Sequence, residues 1–181
     1  MMIKMKKGYF LESMHSFMQS CYSLFQIDLS NFCLSNVTDM SESFADCKNL
    51  VLIDLKGINT SNVINFNKLF FRCEKLTNVF LGDFSTKNAN ILDSMFYYSK
   101  ELTEINLGKF ETPNLFSMKE MFTGCEKITS LDVSSFKISN IQSLEGVFKG
   151  CSSLKKIKGI QTWDTRKVKS MEYLFYECSS L

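Results

Sequence analysis

The sequence predicts an α/β repeat solenoid, built from 26-residue coils that each carry one short parallel β-strand and one short helical segment. Three observations predict it. Leu24, Leu50, Leu76, Leu102, Ile128 and Leu154 recur at intervals of 26, and Leu181 follows after 27. A self-similar period of this size marks stacked supersecondary units. Within each period, an alternating apolar pair is followed by a stripe of apolar residues at helical spacing. The chain also holds 17 Phe and a single Pro among 181 residues, which suits a layered core with large rings in each layer.

Taking Phe25 as the first repeat position, the coils are 25–50, 51–76, 77–102, 103–128, 129–154 and 155–181, preceded by a partial coil 9–24 and an N-terminal extension 1–8. The third position reads Ile27, Ile53, Val79, Ile105, Leu131, Ile157, and the fifth Leu29, Leu55, Leu81, Leu107, Val133. Ile160 and Trp163 continue the fifth and eighth columns if the extra residue of the last coil lies before them. Apolar residues at the third and fifth positions, polar ones mostly between, give a period-two strand with one buried face, as in Gln26–Ser30 and Glu104–Gly108. Met118, Met121, Phe122 and Cys125 then show the i, i+3, i+4, i+7 stripe of a short amphipathic helix. No single coil can bury its own apolar face, so stability is expected to come from neighbouring coils.

Other columns have packing explanations. Asn36, Asn62, Asn88, Asn114 and Asn140 share one turn position, where the amide can bond backbone groups of its own and the adjacent coil. Phe44, Phe70, Phe96, Phe122, Phe148 and Phe175 form a column of rings. Six of the seven Cys occupy one column, with Ser99 standing in for Cys in one coil. They are expected to be buried free thiols, with disulfides between adjacent coils as the alternative. Cys33 lies off the column and is expected to be the exposed thiol.

The stretches SNVTDMSESFADCKNLVLIDL, PNLFSMKEMFTGCEKITSLDVSSF and KVKSMEYLFYECSSL resemble the repeat of the BspA-like leucine-rich-repeat family of surface proteins. The resemblance spans about residues 9 to 181 and implies a leucine-rich-repeat-like solenoid. It also implies export to a cell surface or secretion, adhesion or recognition, and a host or cell-surface protein as partner. The residues add two alternatives. The chain shows no convincing signal peptide, which favours an intracellular, cytoplasmic interaction scaffold. The array looks unfinished at both ends, which favours a structural segment of a longer array or end-to-end self-association.

Chemistry finds little support. His15 is the one His and no Cys-x-x-Cys pair is present, so neither catalytic, cofactor nor metal residues are assigned. The net charge of +2 and the absence of a regular basic or stacking column argue against nucleic acid, although the last coil is basic at Lys155, Lys156, Lys158, Arg166, Lys167 and Lys169. No run approaches the ~18 apolar residues of a membrane span. What varies is the outward strand face. Asp28, Leu52, Asp54, Phe80, Asn106 and Asp132 are the candidate partner-binding residues, with an apolar spot at Leu52 and Phe80.

Overall fold

The computed structural model describes residues 2–4, 9–29, 32–82, 84–107 and 110–181. The strand ends expected at Ser30 and Gly108 lie outside them. The strands are Met2–Lys4 (β1), Tyr9–Phe10 (β2), Gln26–Asp28 (β3), Phe32–Cys33 (β4), Leu52–Asp54 (β5), Asn78–Phe80 (β6), Ser130–Asp132 (β7) and Lys156–Lys158 (β8). β3, β5, β6, β7 and β8 lie where the alternating pairs predict them, and β1, β2 and β4 were not expected. All pairings are parallel. β1, β3, β5 and β6 form one sheet, β7 and β8 a second, and β2 and β4 a third. The register Ile27–Ile53–Val79 stacks the third repeat position of one coil on the next. β1 was expected to lie in an extension outside the array. It instead pairs Ile3 with Ile27 and adds a strand to the main sheet. The coil it opens is only 24 residues long, so its Met-Ile-Lys strand falls out of the 26-residue register.

The returning segment is not a helix. It is a run of tight turns in which alternate N–H groups take different partners. Ser43, Ala45 and Cys47 donate back to Met40, Glu42 and Phe44 in the same coil. Met40, Glu42, Phe44 and Asp46 donate to Asn65, Asn67, Leu69 and Phe71 in the next coil, at 2.7–3.0 Å. This geometry needs a left-handed residue every four positions. Glu42 and Asp46 (φ 57 each), Lys68 (φ 54) and Arg72 (φ 55), and Ser94 (φ 52) and Tyr98 (φ 55) supply it. Gly124, Gly146 and Gly150 fill the same sites without strain. A helix would satisfy its own backbone. These turns instead bond coil to coil, which explains why apolar spacing alone suggested a helix and the hydrogen bonding rules it out.

The interior is a pair of ring stacks. Phe44, Phe70, Phe96, Phe122, Phe148 and Phe175 stack with centroids 5.5–6.0 Å apart, and Phe84, Phe110 and Phe136 form a second stack at 5.8 and 5.9 Å. Met118, Met121, Phe122 and Cys125 are fully buried. The cysteine column is a hydrogen-bond column. Cys47, Cys73, Cys125 and Cys151 donate to the carbonyls of Met18, Phe44, Phe96 and Phe122 in the preceding coil, at 3.0–3.2 Å. Ser99 makes the same bond to Phe70 at 3.2 Å. A small donor is what the site requires, and a hydroxyl or thiol serves. All seven cysteines are free. Burial pushes the Cys47 and Cys151 thiols up to about 12.

The asparagine column bonds between coils as expected: Asn62, Asn88 and Asn114 donate to the carbonyls of Ser35, Ser61 and Lys87, at 2.7, 2.7 and 3.2 Å. The last coil absorbs its extra residue at Gly159. There φ is +88, and a Cβ would lie 2.4 Å from Ser134 Cα. The turn continues through the 3₁₀ helix Ile160–Thr162 and delivers Trp163 onto Phe148 at 6.1 Å.

Candidate functional site

The strand face is continuous except at one coil. Elsewhere, N–H groups at its margins cross between coils: Val51 to Phe25 (3.0 Å), Thr77 to Val51 (2.9 Å), Leu55 to Phe80 (2.8 Å), Lys155 to Thr129 (2.9 Å) and Val133 to Lys158 (2.8 Å). Leu29, beside the paired strands β3 and β5, makes no such bond among the described residues. Coil 103–128 was expected to carry a strand at Glu104–Gly108. Among the described residues it forms none, and this separates β6 from β7. Asn78, Glu104 and Asn106 are residue types that strands disfavour, and they cluster where pairing fails. Ile105 is only half-buried, whereas Ile53 and Leu131 at the same repeat position are fully buried.

The break opens a cleft of about 470 Å³ lined by Asn78, Val79, Phe80, Glu104, Ile105, Asn106 and Asp132, among others. A second hollow of about 290 Å³ adjoins it between Lys56, Phe80, Leu81 and Asn106, and its floor reaches the core rings Phe84 and Phe110. Phe80 borders both and is 39% exposed. The Lys56 ammonium lies 4.7 Å from its ring centroid, a cation–π contact that holds the ring in place. Asp132 accepts from Lys158 Nζ at 2.7 Å and from the Ser134 N–H at 3.0 Å. Those bonds, the Lys158 one first, hold its carboxyl well below the usual carboxylate range.

Of the six candidate residues, the structure gathers Phe80, Asn106 and Asp132 around this cleft. Asp28, Leu52 and Asp54 lie on the paired part of the sheet and are half-buried. Leu52 is therefore less of an apolar spot than the strand pattern suggested. Cys33, expected to be an exposed turn thiol, sits half-buried in β4, with Sγ 3.3 Å from Ser35 Oγ. Hydrogen bonds from Ser35 lower its pKa.

Two groupings escaped the sequence reading. Thr60, Thr86 and Thr112 are fully buried and clamp adjacent coils. Thr60 donates to the Ser85 carbonyl at 2.9 Å and accepts from the Ser85 N–H at 2.8 Å, and Thr112 makes the same pair with Lys137. Their signal was present as three Thr at one repeat position, flanked in that column by Leu34 and Ile138. The second grouping joins His15, Ser41 and Asp39. Ser41 Oγ donates to Asp39 at 2.6 Å, and His15 Nδ1 lies 2.8 Å from the same oxygen. Asp39 takes the hydroxyl proton, so His15 must be the donor to Ser41. That polarity is the reverse of a histidine activating a serine nucleophile. Among the described residues, no three His, Cys, Asp or Glu side chains are placed to hold a metal ion, and no helix is long and apolar enough to cross a membrane.

The chain matches the family described as "Mycoplasma protein of unknown function, DUF285" over residues 11–131 and 92–181. It belongs to that family. The two overlapping matches cover the repeat array from its partial first coil to its last residue, so family membership and the 26-residue period describe the same object. The crystal structure of the T. pallidum leucine rich repeat protein is similar to this chain at 19% identity and a TM-score of 0.48, over 78% of this chain and 69% of that one. No curated protein matches the chain.

Proposed function

We propose that this chain is a non-enzymatic protein-binding repeat domain that engages its partner on the strand face, centred on Phe80. The observation that carries the reading is the cleft beside Phe80, where the sheet is interrupted and an exposed ring stands over an apolar floor. Exposed rings next to desolvated pockets are the usual anchors of protein interfaces. The rest of the array is held rigid by inter-coil hydrogen bonds, so binding there would order little additional chain. By resemblance to BspA-like proteins, the setting is adhesion or recognition at a cell surface. The seven free cysteines favour a second setting, an intracellular interaction scaffold.

The test is capture of partners by purified wild type and by the double variant Phe80→Asp/Asp132→Lys, from surface extracts and from cytosol. The proposal expects a specific partner that the variant fails to retain. Equal recovery by both proteins overturns it, and the compartment yielding the partner decides between the two settings.

A further inference from the structure

The strand-face opening has a main-chain pattern as well as a shape. The N–H groups equivalent to the bonded Thr77, Leu55, Val51 and Val133 are, around coil 103–128, Leu81, Thr103, Leu107 and Thr129. Among the described residues, none of these four finds its inter-coil acceptor. Along its later turns the same coil is joined on both sides, Phe96 donating to Met121 and Phe122 to Val147, both at 2.9 Å. At the start of the turns, the bonds from Met118 to Ser143 and from Gln142 to Phe116 are missing among the described residues. The coil is therefore held on both sides along its later turns and detached on both sides along its strand. The edge of β6 that faces it carries unpaired main-chain groups, the template that an extended chain completes.

The side chains around that edge specify what chain would fit. Val79, Ile105, Phe84 and Phe110 supply apolar walls, and Phe80 an exposed ring. Of the charges at the cleft, Lys56 is engaged with Phe80 and Asp132 with Lys158. Glu104 is exposed and, among the described residues, has no cationic partner. The edge from Asn78 to Leu81 spans about four residues of strand, or roughly 13 Å.

We propose that the gap beside β6 takes an extended segment of a partner protein by strand addition, with an apolar side chain in the cleft against Phe80 and a basic side chain facing Glu104. This rests on the protein-binding reading above and names the form of its partner. Main-chain pairing supplies affinity, and alternate side chains supply selection.

The experiment titrates the full chain into three labelled, end-blocked peptides and follows anisotropy. One alternates Lys and Val over seven residues, one alternates Glu and Val, and the third is the Lys–Val peptide with N-methylated Val residues, which cannot donate from those positions. The Lys–Val peptide is expected to bind at least about tenfold more tightly than either of the others. Glu104→Lys is expected to reverse the order of the two charged peptides, and Leu81 and Thr103 amides should gain exchange protection on binding. No saturable binding of the Lys–Val peptide up to about 1 mM, or equal binding of its N-methylated form, overturns strand addition. If Phe80→Asp/Asp132→Lys still abolishes capture of a folded partner in that case, the protein-binding reading stands and only the extended-segment inference falls.

Discussion

Replacing Gly150 with alanine separates the observed turn ladder from the helix that the apolar spacing suggested. Gly150 has φ +70, and a Cβ added there would meet Gly124 backbone atoms at 3.5 Å, an ordinary contact. The cost therefore comes from backbone conformation alone. Holding an L-residue in the left-handed region costs about 1–2 kcal/mol. Alanine recovers roughly 0.4–1 kcal/mol by restricting the unfolded chain. The net expectation is destabilisation of about 1 kcal/mol, or roughly 2–4 °C in Tm for a chain of this size. In the interior of a helix the same substitution would stabilise by about 1 kcal/mol. The two geometries thus differ in sign and by about 2 kcal/mol. Urea denaturation of wild type and Gly150→Ala reads the difference directly, and Glu120→Gly, at φ 54, serves as the converse. Stabilisation by Gly150→Ala together with destabilisation by Glu120→Gly would refute the turn assignment.

The core makes further demands. Phe122 stacks between Phe96 and Phe148, so Phe122→Ala should cost about 3–5 kcal/mol in the same denaturation assay; a loss below about 1 kcal/mol would contradict its place in the ladder. Cys125→Ser should be tolerated within about 1 kcal/mol, because Ser99 already makes that bond one coil earlier, whereas Cys125→Val removes the donor to Phe96 and should cost more. Thiol titration of the native chain at pH 8 should show Cys33 reacting first and Cys47, Cys73, Cys125 and Cys151 only on unfolding, since burial keeps them protonated. Asp164, beside Arg166, has its carboxyl held at about 2, below the ordinary ~3.9, so its contribution to stability is present above pH ~4 and lost as pH falls through about 2. Arg166→Gln should return the NMR titration midpoint of Asp164 towards the ordinary value.

The coil length, the ring column and the buried face of each strand were legible because they depend on which residues are apolar, and Ile27, Ile53 and Val79 repeat that choice. The turn ladder was not legible for a physical reason. Left-handed positions announce themselves only when glycine or asparagine occupies them, and here Glu42, Lys68, Arg72 and Tyr98 do so. Gly124, Gly146 and Gly150 were the available hint, at the same two repeat positions in later coils. The detached strand was hidden as well. Glu104-Ile105-Asn106-Leu107 keeps the alternation of its paired neighbours, and pairing depends on coil-to-coil hydrogen bonds that no single segment encodes. The candidate residues divide along the same line: Phe80, Asn106 and Asp132 meet at the cleft because the sheet breaks beside them, and Asp28 and Asp54 remain on intact sheet.

Residue-resolved amide hydrogen exchange of the free chain tests the interrupted strand face most directly. Leu55, Thr77 and Val133 should be protected, along with Phe96 and Phe122 on the turn ladder, while Leu81, Thr103 and Leu107 exchange at least about tenfold faster. Equal protection of Leu81 and Leu107 with Leu55 and Val133 would show a continuous sheet and leave no cleft for a partner to enter.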